Sequence, residues 1–250
     1  MSLLRIRGVT KGFGGLAALA SVDLDVREGE TVGLIGPNGA GKTTLINAIT
    51  GVHPPDRGSI ALDGHELTRL SPPRITRLGI ARTFQIPQPF SGLTTLENVM
   101  VGVAFGGHAA ALGEAARRAR ELLAFVGLGD KAAASPQSLS IVELRKLELA
   151  RALGSGARLL LLDEIHAGLT PAEMSQAIAL IERLHAQGVA IVMVEHLMRI
   201  IMTVCQRVVV LHLGTKIAEG TPAEIARNPD VVRAYLGERH AGARTGDAAG

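Results

Sequence analysis

The segment GPNGAGKTT occupies residues 36–44 and directly follows the apolar run TVGLI at residues 31–35. The apolar run predicts a buried strand, and residues 42–50 predict a helix after the loop. Glycines let such a loop curl until successive backbone N–H groups converge, and the start of the helix adds its partial positive charge. The loop fits the pattern G-x-x-x-x-G-K-[ST], so it predicts a phosphate-binding site between a strand and a helix.

The residue types of this loop predict different contacts with a nucleotide and its metal ion. Lys42 is expected to reach the β- and γ-phosphates, and Thr43 to offer its hydroxyl to Mg²⁺. The rest of the loop is expected to surround the phosphates, through Gly36, Pro37, Asn38, Gly39, Ala40, Gly41 and Thr44.

Two more apolar runs end in polar residues. LLLLDE at residues 159–164 ends in two carboxylates, and AIVMVEH at 190–196 ends in a histidine. Ligands of open α/β sheets bind at the carboxyl ends of the strands. We therefore expect Asp163 to hold Mg²⁺, Glu164 to act as the base or to orient the attacking water, and His196 to sense the γ-phosphate. The sequence has no N-K-x-D guanine motif, which disfavours a GTPase.

Strand-like and helix-like patterns alternate along much of the chain, which predicts a mostly parallel α/β core. Eight strands are predicted: Leu4–Arg7, Val22–Val26, Thr31–Ile35, Ser59–Leu62, Ile80–Thr83, Leu159–Asp163, Ala190–Val194 and Arg207–Leu211. From about residue 87 to 153 helical patterns dominate, at Thr95–Val103, Leu112–Val126 and Leu139–Leu153. This interval predicts a helical subdomain inserted into the core, and Pro171–Ala186 predicts a further helix capped by Thr170.

Composition excludes several classes of protein. The 250 residues carry a formal net charge of only +3 and 2% aromatic residues, which is weak evidence for a nucleic-acid partner. A single cysteine excludes an internal disulfide framework, and no uncharged apolar run is long enough to span a membrane. The small, polar residues 239–250 predict a flexible tail.

Taken together, these motifs resemble an ABC-transporter ATPase subunit over about residues 3–238. The resemblance implies a P-loop NTPase core at residues 1–86 and 154–238, with an antiparallel N-terminal β subdomain and the helical subdomain at 87–153. In KGFGG, Phe13 matches the aromatic residue that stacks on adenine. In RTFQ, Gln85 matches the residue that contacts Mg²⁺ and the attacking water, and Ser140 matches the serine that contacts the ATP of a partner subunit.

Finer features resemble the ATPases of branched-chain (hydrophobic) amino acid importers. They are FGGLAAL, LTTLENVMVG after RTFQ, and the ending AEGTP with VRAYLGE. The resemblance implies ATP and Mg²⁺, a second ATPase subunit, two transmembrane permease subunits and a periplasmic or extracellular substrate-binding protein. It also implies a peripheral location on the cytoplasmic face of the cell membrane and no direct contact with nucleic acid.

Two other functions remain open at this stage. The ending also resembles the lipopolysaccharide-export ATPase, so a lipid exporter is one alternative. A soluble ABC ATPase acting on nucleic acid or ribosomes is another, although such proteins usually carry a long coiled coil, zinc-binding cysteines or two tandem ATPase units, and this sequence has none of them.

The sequence departs from the family pattern at the signature loop, which is usually LSGGQ. Residues 139–143 read LSIVE, so Ile141 and Val142 replace both glycines and Glu143 replaces glutamine. β-Branched side chains hinder the close backbone approach that glycine permits, and Glu143 brings a negative charge near a polyanion. The loop still closes on the partner's ATP, or it is weakened at one site of a heterodimer, or the true signature lies in another register.

Overall fold

A long β-hairpin opens the chain in the computed structural model, which describes residues 2–84, 86–107, 110–163, 170–195 and 197–235. Strands β1 (Ser2–Phe13) and β2 (Leu16–Arg27) pair antiparallel around a two-residue turn, Gly14 and Gly15, both with positive φ. The free edge of β1 pairs antiparallel with Arg57–Leu62, numbered β4 along the chain, and β4 pairs with β5 (His65–Glu66). The strand order β2-β1-β4-β5 confirms the predicted antiparallel N-terminal β subdomain.

This sheet belongs to the first of two compact units, which comprises the described residues of Met1–Arg27, Thr31–Arg69 and Val194–Gly250. The same unit contains three more strands in the order β10-β9-β3. Strands β3 and β9 are parallel, and β10 is antiparallel to β9. Their bounds and those of the helices in this unit are Thr31–Ile35 (β3), Lys42–Ile49 (α1), Met198–Val204 (α7), Arg207–His212 (β9), Thr215–Gly220 (β10) and Pro222–Arg227 (α8).

The second unit comprises Glu28–Glu30 and the described part of Leu70–Met193. Its strands β6 (Ile80–Arg82), β7 (Leu159–Asp163) and β8 (Ala190–Val194) lie in the order β8-β7-β6, and β6 and β7 are parallel. Every residue of β7 and β8 is buried, as expected for strands covered on both faces.

Five α-helices complete the second unit: Pro72–Arg77 (α2), Thr95–Phe105 (α3), Leu112–Val126 (α4), Ile141–Gly154 (α5) and Pro171–Ala186 (α6). Helices α3, α4 and α5 pack against one another. A β-carbon at Gly102 of α3 would lie 2.4 Å from the carbonyl oxygen of Arg151 in α5, so glycine allows these two helices to approach closely. None of the helices in the described ranges is long and apolar enough to span a bilayer.

The elements confirm the predicted α/β fold, with corrections to several bounds. The predicted strands at 31–35, 159–163 and 190–194 and the helices at 112–126 and 171–186 have the predicted limits. The predictions Leu4–Arg7 and Val22–Val26 were too short, because pairing in the hairpin extends β1 and β2 into polar residues. The short elements β5, β10, α2, α7 and α8 were not predicted. Helix α5 begins at Ile141 rather than Leu139, because Ser140 caps it.

Substitutions of two glycines in and beside β4 test how much close backbone packing contributes to the stability of the antiparallel sheet. Gly58 and Gly64 have similar positive φ values of 89° and 79°, but a β-carbon at Gly58 would lie 2.5 Å from Arg7 O, whereas nothing lies within 4 Å at Gly64. We expect Gly58→Ala to lower the free energy of unfolding by at least about 3 kcal/mol, because a backbone clash adds to the strain of positive φ. Gly64→Ala, the matched control, should cost about 1 kcal/mol from strain alone. Equal losses in urea unfolding would contradict this packing.

Candidate functional site

The predicted phosphate loop connects β3 to α1 in a tightly constrained path. Gly36, Gly39 and Gly41 have φ values of 150°, 75° and 102°. A β-carbon at Gly36 would lie 2.1 Å from Leu211 O, and one at Gly41 would lie 2.6 Å from Ala18 O. At Gly39, by contrast, no atom of the described residues lies within 4 Å of that position, so they leave this part of the loop open. The loop is therefore held against neighbouring backbone at both ends and is accessible in its middle.

Lys42 turns its ammonium group into the loop. The residue is 6% exposed, and its Nζ donates hydrogen bonds to the carbonyl oxygens of Gly36 (2.7 Å) and Pro37 (2.9 Å). These charge-assisted bonds hold the cation where the loop curls around it. Thr43, at the first turn of α1, is exposed, and Thr44 is half-buried. The sequence-predicted lysine, threonines and glycines therefore lie together in one loop.

The β1–β2 hairpin lies beside this loop and places Phe13 at its tip. The Ala20 amide donates to Gly214 O at 2.8 Å, and the Gly214 amide donates to Ala40 O at 3.0 Å, which connects the hairpin to the loop. Phe13 is 46% exposed and meets the His53 ring edge-on at a centroid distance of 5.6 Å. A half-exposed aromatic ring on the same unit as the loop is suited to stacking on a flat heterocycle.

Asp163 ends β7 in the second unit and is paired with an arginine. Its Oδ2 lies 2.7 Å from Nη2 of Arg82, and the two side chains are only 10% and 13% exposed. Arg82 ends the neighbouring strand β6, and the Asp163 amide donates to the Thr83 hydroxyl at 3.4 Å. The sequence predicted the carboxylate at this strand end, but it gave no sign of its cationic partner.

The second unit contains another buried acid that the sequence did not single out. Glu148 of α5 is 4% exposed, and neither of its carboxylate oxygens accepts a hydrogen bond of normal geometry from the described residues. Burial raises the pKa of the Glu148 carboxyl to about 7, against the opposing influence of the Phe84 amide and nearby arginines. A glutamate at a helix position flanked by Leu147 and Leu149 was the available sequence signal.

Three predicted catalytic residues, Gln85, Glu164 and His196, lie outside the described residues. The flanking strand ends are described, since β6 ends at Arg82, β7 ends at Asp163 and β8 ends at Val194. Their catalytic roles therefore stay predictions.

Ser140 and Glu143 of the atypical signature loop form a capping box at the start of α5. The Glu143 amide donates to Ser140 Oγ at 3.3 Å, and the Ser140 amide donates to Glu143 Oε2 at 2.9 Å. Lys131 Nζ lies 2.6 Å from Glu143 Oε1. The hydrogen bonds from Lys131 and from the Ser140 amide lower the pKa of the Glu143 carboxyl to about 2. The charge of Glu143 is thus compensated within the chain.

The sequence profile of the family described as "ABC transporter" matches residues 19–167, and that described as "Branched-chain amino acid ATP-binding cassette transporter" matches residues 215–241. The chain is 40% identical over 250 residues to the high-affinity branched-chain amino acid transport ATP-binding protein LivG of Salmonella typhimurium. It is 39% identical over 250 residues to BraF, a protein of the same description from Pseudomonas aeruginosa. Each alignment covers 94% of this chain and 98% of the relative.

Solved structures give the same family. The ADP conformation of MJ1267, an ATP-binding cassette of an ABC transporter, matches with a TM-score of 0.87 and 30% identity, covering 95% of this chain and 99% of that one. A dimeric post-hydrolysis state of the cassette MJ0796 bound to ADP and Pi matches with a TM-score of 0.78 and 27% identity, covering 88% and 98%.

The ion pair of Glu143 predicts a pH-dependent contribution to stability. Because folding lowers the pKa of this carboxyl from 4.5 to about 2, the contribution is present above pH 4.5 and is lost as the pH falls toward 2. We expect Glu143→Gln, which keeps the cap but removes the charge, to lower the unfolding midpoint by about 1–3 °C at pH 7. The difference should shrink below pH 4.5. Glu182→Gln, exposed on α6, is the control, and a pH-independent effect of Glu143→Gln would contradict the assignment.

Proposed function

The chain belongs to the family of ABC-transporter ATPases, and on that basis we propose that it powers the import of branched-chain or other hydrophobic amino acids. The observation that carries the choice of cargo is the similarity to importer subunits along nearly the whole chain, including its C-terminal region. In this proposal two ATPase subunits bind ATP, close on it and reopen after hydrolysis. Their movement is transmitted to two permease subunits, which receive the amino acid from a substrate-binding protein.

We assign the nucleotide contacts from the loop geometry and the family resemblance. Residues 36–44 surround the phosphates, and Phe13 stacks on the adenine. Lys42 exchanges the carbonyl oxygens of Gly36 and Pro37 for phosphate oxygens, since these hydrogen bonds already hold the ammonium group inside the loop where an anion would bind.

Mg²⁺ fits the residues that the resemblance assigns to it. The described residues contain no cluster of three or more acids, histidines or cysteines that could hold a metal alone. Mg²⁺ usually binds one or two protein carboxylates together with substrate phosphates. Asp163 supplies a buried carboxylate at a strand end, Thr43 an exposed hydroxyl, and Gln85 a side-chain amide oxygen. When bound, Mg²⁺ neutralises charge on the β- and γ-phosphates.

Catalysis is assigned to residues at the ends of the strands. Glu164 polarises the attacking water, Gln85 helps to place that water, and His196 contacts the γ-phosphate. These three roles rest on the match to the family motifs.

We propose that the LSIVE loop still closes on the partner's ATP, which is the first of the three interpretations of its sequence. Glu143 is compensated by Lys131, so it adds little repulsion toward phosphate. Ser140 Oγ accepts a hydrogen bond from the Glu143 amide, which holds the hydroxyl at the start of α5, where the partner's ATP would meet it. Ile141 is 54% exposed at the start of α5, so in this proposal its side chain lies against the partner subunit.

The permease contact is assigned to a groove of about 910 Å³ between α3 and α4. Phe105 and Leu112 line it and are 72% and 74% exposed. Contiguous exposed apolar surface of this kind is typical of protein-interaction sites. We propose that it receives a cytoplasmic segment of a permease subunit.

Isolating the tagged chain from detergent-solubilised membranes tests the proposed function. We expect two polytopic permeases, together with a soluble amino-acid-binding protein after cross-linking. Leu112→Asp should reduce recovery of the permeases by about tenfold, because it places a charge in the apolar groove. Val232→Asp, at a site 43% exposed in the other unit, is the control. Recovery of a periplasmic bridge protein would instead indicate lipid export, and recovery of nucleic acid or ribosomes would indicate the soluble class.

The signature loop is tested by restoring its glycines. We expect the double substitution Ile141→Gly and Val142→Gly to change the ATPase rate by less than about twofold. It should also lower the stability of the protein, because glycine has a low helix propensity in the first turn of α5. Ser140→Ala should slow the rate about tenfold or more, since it removes a phosphate donor. Glu164→Gln supplies the background rate. A large increase with the two glycines would support a weakened loop instead.

A further inference from the structure

Arg82 occupies the position next to the proposed metal ligand. Its Nη2 lies 2.7 Å from Asp163 Oδ2, and its guanidinium lies over the Phe84 ring at 5.3 Å from the centroid. Asp163 is thus neutralised by a cation of the chain itself. A metal ion that binds to this carboxylate brings two further positive charges next to the guanidinium, which disfavours the existing pair.

Glu148 offers Arg82 a second anionic partner. Both residues line the same cavity of about 320 Å³, together with Phe90 and Arg151. Glu148 is 4% exposed, and both of its carboxylate oxygens lack a hydrogen-bond partner among the described residues. A buried carboxylate is costly without hydrogen bonds, so a guanidinium that donates to these oxygens would lower the cost of burying it.

The other cations beside Glu148 have their own contacts. Arg151 donates from Nη1 to Gln88 O at 2.9 Å, and its guanidinium stacks on Phe90 at 5.2 Å from the ring centroid. Arg145 lies on the same helix as Glu148 and has its own polar contacts. Arg82 is set apart from both, because its partner Asp163 is the carboxylate proposed to hold the metal.

We propose that Arg82 is a positioning residue, which pairs with Asp163 and is transferred to Glu148 when Asp163 takes up its metal. The inference rests on the proposed metal role of Asp163. Burial already raises the pKa of Glu148 to about 7, so its carboxyl is readily protonated near neutral pH while the pair is absent. Arrival of the guanidinium favours the ionised carboxylate, and any bound proton leaves through the cavity to solvent.

The transfer links nucleotide loading to the signature loop within one unit. Arg82 lies at the end of β6, and Glu148 lies in α5, the helix that Ser140 caps. Pairing Arg82 with Glu148 therefore connects the end of β6, which neighbours the strand of the proposed metal ligand, to the helix that Ser140 caps. Asp163 loses the guanidinium of Arg82 only when the metal ion takes its place, so the carboxylate always has a neutralising partner.

Equilibrium binding of a fluorescent ATP analogue, mant-ATP, with Mg²⁺ and with EDTA tests this transfer. We expect Glu148→Gln to leave affinity in EDTA unchanged and to weaken the Mg²⁺-dependent gain about three- to tenfold, because the displaced guanidinium finds no anion. Glu121→Gln is the control, because Glu121 forms an exposed ion pair with Arg117 on α4. It should change neither the affinity in EDTA nor the Mg²⁺-dependent gain. In the Arg82→Gln background, Glu148→Gln should change the gain by less than about twofold. Equal effects in both backgrounds, or no effect in the wild-type background, would overturn the inference.

Two further measurements separate this inference from the proposed metal site. If Asp163→Asn keeps the full Mg²⁺-dependent gain, the metal role of Asp163 is wrong and the inference falls with it. If Asp163→Asn loses the gain but Glu148→Gln keeps it, only the transfer is wrong. A wild-type crystal structure with Mg²⁺ and ADP needs no variant, and it should show the Arg82 guanidinium bonded to Glu148. A guanidinium still paired with Asp163 beside the bound metal would overturn the transfer.

Discussion

The hydrogen bonds from the Lys42 ammonium to the carbonyls of Gly36 and Pro37 are the interaction on which the proposed chemistry depends. They keep a nearly buried cation inside a loop whose glycines adopt positive φ. Backbone of β2 and β9 lies so close to Gly36 and Gly41 that no larger side chain fits there. This geometry supports the proposed anion binding, in which one set of oxygen ligands of Lys42 would replace another without rebuilding of the loop.

In the second unit, a charged carboxylate is likewise held in place by a neighbouring group. Asp163 is buried and paired with Arg82, which holds the proposed metal ligand in place at the end of β7. The Glu143 side chain both caps α5 and pairs with Lys131, which compensates the charge of an acid at the position of the glutamine in the usual LSGGQ signature. Local neutralisation of charge thus prepares both the metal site and the signature helix for a highly charged substrate.

Continuous apolar runs made much of this fold predictable from sequence. Strands β3, β7 and β8 are buried along their whole length and have the predicted limits, and Thr170 caps α6 as expected. Short elements such as β5 and β10 depend on pairing with a neighbouring strand, so local pattern did not reveal them. The pairing of Arg82 with Asp163 joins residues 81 positions apart, and Glu148 reads as an ordinary helical acid. Only tertiary structure reveals these two features.

The most direct test of the account is a crystal structure of Glu164→Gln with Mg²⁺ and ATP, since this variant is expected to bind the nucleotide without hydrolysing it. The account predicts that Lys42 Nζ leaves the carbonyl oxygens of Gly36 and Pro37 and contacts the β- and γ-phosphates. It also predicts that Asp163 lies beside the metal and that Phe13 stacks on the adenine. A loop without nucleotide at saturating ATP, with Lys42 still bonded to both carbonyls, would contradict it.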